Sequence, residues 1–292
     1  MKRHAVGRIT VDRIVESICP DFDALNFFPE TTTEDWTRHR GWLAPWAFRP
    51  DSGKLVLTIQ AFLVRTRHHT ILVDTCVGDD KLRPQRPFWN MLKLNTFLPR
   101  LAAAGVAPAD VDYVMCTHLH PDHVGWNTQL HDGRWVPTFP NATYLFTDLE
   151  WKNFQALNSR KPIQHIVDSV LPVIAAGQVE LVRNDFALDD EVWLEPSPGH
   201  TPGHVCVHLA SQGHHAVITG DCIHSPVQCL QPEWNIHADA DAALARATRR
   251  GFLERYCDSN VTVCASHFPE PSFGRVIRSN NAFWFDYLMP HE

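Results

Sequence analysis

The sequence of 292 residues has no apolar run approaching the roughly 18 to 20 residues of a membrane-spanning helix, which excludes an integral helical membrane protein. Its start has no uninterrupted apolar stretch either, because Arg8, Asp12, Arg13 and Glu16 break the segment up. No secretory signal peptide is therefore expected, and the chain reads as cytoplasmic. A basic excess is also missing. The 26 Lys and Arg against 33 Asp and Glu give a net charge of −7, a balance that argues against nucleic acid as substrate. The eight cysteines, at 19, 76, 116, 206, 222, 229, 257 and 264, contain no CxxC pair. In a chain of this length they read as reduced thiols rather than a disulfide framework, and Cys116, Cys206 and Cys264 sit in apolar runs as small hydrophobes. Low-complexity tracts, long charge blocks and internal repeats are absent too.

What is present is a globular composition. Hydrophobic residues make up 44% of the chain, enough for a sizeable core, and a single domain over 1–292 is expected. Leu55–Val64, Thr70–Asp74, Val111–Thr117, Ala142–Thr147, Val179–Val182, Val192–Glu195, His204–Ala210, His215–Gly220 and Val261–Ala265 read as strands. Helices are expected over Trp89–Ala104 (closed by Gly105), over Asp148–Leu157 with Asp148 as N-cap, and over Gln164–Ala176 with an interruption at Pro172. A further helix is expected over Asp239–Cys257, its first turn acidic and its later turns rich in arginine. Strands in hairpins alternating with strand–helix units predict sheets packed between helix layers rather than a doubly wound fold. Pro20–Phe48 reads as irregular and aromatic. That segment, about residues 20–50, is expected to wall a substrate pocket or to form a homodimer interface, with Phe88, Trp89 and Trp126 as further wall candidates.

The anomalous count is 18 histidines. His118-Leu119-His120-Pro121-Asp122-His123 follows directly on the strand ending at Thr117. Imidazole is the commonest metal ligand among side chains, and a strand-end loop can aim alternate side chains at one point. The H-x-H pair offers two nitrogens to one metal, and the adjacent Asp-His pair offers donors to a second. Three further pieces fit the same site: Gly199-His200-Thr201 in a Gly/Pro turn, Gly220-Asp221 at a strand end, and Ser266-His267 after the last strand. Sites in α/β-type sheets collect at such carboxyl ends.

These motifs, in this order, resemble those of the metallo-β-lactamase superfamily, over about Leu55 to His267. The resemblance implies an αββα sandwich, two mixed sheets flanked by helices, with a dinuclear centre at the sandwich edge. It implies that one metal takes His118, His120 and His200, that the second takes Asp122, His123 and His267, and that Asp221 bridges them. Asp74 matches the family's structural aspartate beneath the metal loop, a carboxylate that supports a ligand. The implied cofactors are two divalent ions, zinc foremost, with iron, manganese and cobalt also accepting these donors.

Within the superfamily, a carboxylate at the bridging position sets this chain apart from the true β-lactamases. The nearest likeness is to the lactonase and organophosphate-hydrolase branch, carried by Val124-Gly125-Trp126-Asn127 after the histidine loop, Cys222-Ile223-His224-Ser225-Pro226 after Asp221, and Phe268-Pro269 after His267. The expected activity is hydrolysis of a lactone, carboxylic ester or phosphotriester, with a hydroxide shared by the metals as nucleophile and Asp122 as proton carrier. Acyl-homoserine lactonases of this family carry a tyrosine three residues after the bridging aspartate. Here that position is His224, an imidazole able to donate to an oxyanion. His204 is expected to support the His200 loop, Cys222 to pack in the core, and His68, His69, His214 and His215 to face solvent. Two alternatives are a mononuclear iron oxygenase on persulfide or thiol substrates and a glyoxalase II-like thioester hydrolase.

Overall fold

The computed structural model describes residues 3–288. Along the first part of the chain run β1 (His4–Val6), β2 (Ile9–Asp23), β3 (Phe48–Arg49), β4 (Lys54–Arg65), β5 (Thr70–Val73), β6 (Tyr113–Met115), β7 (Thr128–His131), β8 (Arg134–Pro137), β9 (Thr143–Thr147) and β10 (Val179–Val182). The second part supplies β11 (Val192–Pro196), β12 (Val205–Ser211), β13 (His214–Ile218), β14 (Thr262–Cys264), β15 (Phe273–Ser279) and β16 (Ala282–Tyr287). The first sheet has the order β1-β2-β4-β5-β6-β9-β10, with β3 also on β4. The second has the order β11-β12-β13-β14-β15-β16, and β7-β8 form a separate hairpin. In the first sheet β5-β6, β6-β9 and β9-β10 pair in parallel, and in the second β13-β14 do, while the remaining pairs are antiparallel. Both sheets are therefore mixed.

The strand period of two sorts the core into layers. In β4, Ile59, Ala61 and Leu63 face one side with Phe97 and Leu101, whereas Phe62 and Val64 face the second sheet. There they meet Val205, Val207, Leu209 and Ile218. The opposite residues of the second sheet, Cys206, Val217 and Val263, pack with Phe252, Leu253 and Tyr256 on the outer helix. Helix, sheet, sheet and helix thus form the expected αββα sandwich. Both faces of the central strands are covered, so β4 is buried along nearly its whole length.

The helices are α1 (Ala24–Phe27), α2 (Thr33–Leu43), α3 (Phe97–Ala103), α4 (Pro121–Val124), α5 (Asp148–Arg160), α6 (Gln164–Ser169), α7 (Leu171–Ala175), α8 (Val227–Leu230) and α9 (Ala242–Tyr256). Several expectations are corrected. The helix expected from Trp89 begins only at Phe97, because Met91 and Asn95 hold left-handed backbone and the Asp79 carboxylate accepts the Leu94 and Asn95 N–H groups instead. Thr147, not Asp148, caps α5: its hydroxyl accepts the Glu150 N–H, and Asp148 pairs with Lys152 at 2.6 Å. The last long helix starts at Ala242 behind Asp241 as N-cap, so its first turn is not acidic. Pro20–Phe48 is not irregular throughout, since it holds the end of β2 and helix α2 with its Thr32/Asp35 capping box.

Most aromatic residues of that segment form a core cluster of their own. Phe28, Trp36 and Phe48 pack with Leu43, Val227 and Ile236. Trp126, a wall candidate, is instead buried against Phe97 and donates to Glu16 at 2.8 Å. Among the described residues no helix is long and apolar enough to cross a membrane.

Candidate metal centre

Parallel pairing aligns strand ends. The carboxyl ends of β5 and β6 deliver Asp74 and the Thr117–His123 loop, and those of β13 and β14 deliver Asp221 and His267. The β11–β12 turn adds His200. At the end of β13, Gly220 holds φ +50°, and a Cβ there would lie 2.6 Å from His204 Nε2 and 2.9 Å from Thr117. Only glycine lets the chain turn that tightly against both neighbours.

The seven side chains singled out as metal ligands come together. Donor atoms of His118, His120, His200 and Asp221 lie within 4.8 Å of one another, and so do those of Asp122, His123 and His267. Asp221 faces both groups with separate oxygens. Its Oδ2 lies 3.2 Å from His200 Nε2 and 3.6 Å from His118 Nε2, and its Oδ1 lies 3.1 Å from His123 Nε2 and 2.9 Å from His267 Nε2. The Asp122 carboxylate is 3.7 Å from both His123 and His267.

A second set of contacts orients the rings. His123 Nδ1 sits 2.8 Å from Asp74 Oδ2, His200 Nδ1 2.9 Å from Asp239 Oδ1, and His267 Nδ1 3.0 Å from the Thr58 carbonyl. Each partner is an acceptor, which places the proton of the neutral ring on Nδ1 and leaves Nε2 facing inward, free to ligate once it is deprotonated. Asp74 also accepts the Thr117 N–H at 2.8 Å and its hydroxyl at 2.9 Å, so one carboxylate fixes both the β6 end and His123. His204 accepts the Asp221 N–H on Nε2 at 2.8 Å, which anchors the aspartate's backbone. Glu150 accepts the Leu119 and Gly203 N–H groups, each at 3.0 Å, and so ties the His118–His123 loop to the His200 loop.

Electrostatics follow from burial and neighbours. Burial, with His123 beside it, holds His118 well below the usual imidazole range, and burial with His200 does the same to His120. Burial also depresses His123, His200 and His267, but the surrounding carboxylates outweigh it. Asp221, Asp74 and Asp122 hold His123 well above the usual range, Asp221 and Asp239 raise His200 to about 9, and Asp221 raises His267. Burial disfavours the Asp221 carboxylate, yet the surrounding imidazoles keep its pKa far below the ordinary value.

The fit to divalent cations can be judged on the orphaned atoms. His118 Nε2 and Asp221 Oδ1 are buried without a hydrogen-bond partner. Lone pairs converging in a water-poor site are costly unless a cation receives them. The donor set, five imidazoles and two carboxylates, suits two such ions.

His224 stands at the rim of this cluster. Its Nε2 is 3.0 Å from Asp221 Oδ2 but off the hydrogen-bonding direction, its ring stacks on His267 at 5.6 Å, and Phe27 packs edge-on against it. Phe22, Phe27, Leu57, Trp89 and Ile236 wall the cleft above the donors, so the aromatic segment contributes Phe22 and Phe27 to it. Cys222 packs in the outer core of the second sheet. Asp239, Glu150 and the Thr58 carbonyl escaped the sequence reading. For Glu150 the available signal was the T-x-x-E spacing from Thr147, whereas Asp239 was read as part of a helix that starts later.

A family model described as the metallo-beta-lactamase superfamily matches residues 56–254. An N-acyl homoserine lactonase of Bacillus cereus is 25% identical over 160 residues, 51% of this chain and 57% of that protein. The N-acyl homoserine lactonase AiiA of Bacillus thuringiensis subsp. kurstaki is 25% identical over 171 residues, 55% of this chain and 62% of its own. The chain thus spans 57% to 62% of the length of these curated relatives. Among solved structures, AidC, a dizinc quorum-quenching lactonase in complex with its product, superposes with a TM-score of 0.80 at 22% identity, over 99% of this chain and 98% of that one. AbOPH, a hydrolase of the beta-lactamase superfamily, also gives a TM-score of 0.80, at 24% identity over 99% and 98%.

Proposed function

Since the chain belongs to the metallo-beta-lactamase superfamily, we propose that it is a metal-dependent hydrolase of ester-like bonds, with lactones the first substrates to test. The observation that carries this reading is Asp221, whose two oxygens face two separate groups of donors. His118, His120 and His200 would hold one divalent ion, Asp122, His123 and His267 the other, and Asp221 would touch both. When bound, such a pair supplies Lewis-acid polarisation of a carbonyl or phosphoryl oxygen and lowers the pKa of water towards about 7. The names of the Bacillus relatives as N-acyl homoserine lactonases support lactones over phosphotriesters.

The chain's own residues would then do the following. Phe22, Phe27, Leu57 and Trp89 take up the apolar part of the substrate and exclude water from the donors. His224, at the rim, donates its single N–H to the oxygen that gains charge. Asp122 takes a proton and returns it to the leaving oxygen, a role that suits a largely buried carboxylate lining the cleft.

The test is metal content per chain on freshly purified protein, paired with turnover of a lactone, an aryl ester and a phosphotriester. About two ions per chain with chelator-sensitive turnover is the expected result. One iron per chain and no hydrolysis would overturn the reading in favour of an iron oxygenase.

A further inference from the structure

Beside the donor cluster lies a second, larger cavity of about 590 Å³. It shares two walls with the metal cleft, His120 and Arg86, so a molecule reacting at the first site can extend into the second. Its lining is basic, although the chain as a whole carries a net charge of −7. Arg83, Arg86, Arg160 and Lys161 all line it, and among the described residues no aspartate or glutamate does.

These cations differ in how far they are already neutralised. Arg83 is buried and clamps Asp168 with both terminal nitrogens, at 2.6 and 3.0 Å, while its Nε has no partner. Lys81, behind it, donates to Thr128 at 2.6 Å and lies 3.9 Å from the same aspartate. Arg86, Arg160 and Lys161 make no ion pair among the described residues. Arg86 is nevertheless positioned, its guanidinium 5.1 Å from the centre of the Trp89 ring. A neutral His165, depressed to about 3 by burial and by Arg83, adds a buried Nε2 without a partner. Between the charges the wall is apolar, from Leu82, Leu157 and Ile163.

We propose that this cavity binds a remote oxyanion of the substrate, a carboxylate or a phosphate, so that the enzyme prefers ester or lactone substrates with an apolar spacer ending in that anion. The inference rests on the hydrolase reading of the adjoining site. Guanidinium groups give charge-assisted hydrogen bonds to both kinds of oxyanion. The net charge of −7 makes three uncompensated cations around one hollow a local reversal of the field, which would draw an anion there.

The experiment compares three aryl esters of one chain length, ending in methyl, carboxylate or phosphate, together with their non-hydrolysable amides. The expected result is a kcat/KM about tenfold higher for an anionic ester than for the neutral one, since one charge-assisted contact is worth roughly that factor. Added salt should erode the preference. Which anion gains more identifies the group. In the R160Q/K161Q double variant, both positions being exposed, the ratio should fall towards one, and Arg160→Lys should retain it. Equal turnover of all three esters with equal amide binding would overturn the proposal and leave the hydrolase reading intact. Tighter binding of an anionic amide without hydrolysis of any ester would uphold the cavity and overturn the hydrolase reading. No hydrolysis and no difference in amide binding would overturn both.

Discussion

Replacing Asp239 by asparagine tests whether the outer contacts set the properties of the donor cluster. The carboxylate is buried and has two separate duties: Oδ1 accepts from His200 Nδ1 at 2.9 Å, and Oδ2 accepts the Ile236 N–H at 3.1 Å. Asparagine has one acceptor. If its oxygen serves His200, its amide faces the Ile236 N–H, donor against donor. If it flips, the amide faces Nδ1, the imidazole proton moves to Nε2, and that nitrogen can no longer ligate. Either arrangement costs about 1 kcal/mol or more for the lost bond. Losses of this kind at metal sites run to about 10–100-fold in affinity or activity, or about 1.4 to 2.7 kcal/mol. The assay is competition against a chromophoric chelator for the metal dissociation constant, alongside kcat/KM for the best ester. The dissociation constant should rise and kcat/KM should fall by that factor, with a smaller change in the melting temperature of the metal-free protein. Metal affinity and kcat/KM both within about twofold of wild type would refute the idea that Asp239 fixes the His200 tautomer.

Asp221→Ala removes the one carboxylate that faces both donor groups, so metal content should drop below two per chain and turnover should fall by about a thousandfold or more, as read by metal analysis and steady-state kinetics. Gly220→Ala forces a Cβ to within 2.6 Å of His204 Nε2 at φ +50°, and should destabilise the fold by about 2–4 kcal/mol in urea unfolding. Glu16 accepts the Val77 and Gly78 N–H groups and the Trp126 ring N–H, but burial pushes its pKa up to about 7 in the fold. An acid with a raised folded pKa binds more protons folded than unfolded, so its stabilising share is present at acid pH and is lost as pH rises towards and through about 7. Wild-type stability should therefore fall more steeply than that of Glu16→Gln between about pH 5 and pH 8, and parallel slopes in denaturant titrations would count against this.

The donor loops were legible in the sequence because metal ligation needs rare residues at fixed spacing: His118 to His123, His200, Asp221 and His267 all converge. The long buried strands were legible for a related reason, as predominantly apolar runs at Leu55–Val64 and His204–Ala210 mark central positions. What escaped lies where the pattern is mixed. β2 carries Asp12, Arg13 and Glu16 as buried residues, and their partners (Arg3, Arg65 and Gln60 among them) come from elsewhere in the chain, so the run reads as polar. The β15–β16 hairpin mixes arginines with aromatics in the same way. Asp239 escaped because its task depends on His200, 39 residues away, and local spacing cannot show such a meeting. Trp126 misled for the opposite reason: an aromatic beside the metal loop suits a pocket wall, yet its N–H is spent on buried Glu16.

The donors are divided between the two sheets. His118, His120, Asp122 and His123 hang from the first, His200, Asp221 and His267 from the second, and Glu150 laces the loops across the seam. Neither half of the chain carries a full set of donors for either ion. Cation affinity is then a gauge of how well the halves are docked, and any strain that pries the sandwich apart, even far from the cleft, will be felt first as a looser grip on metal.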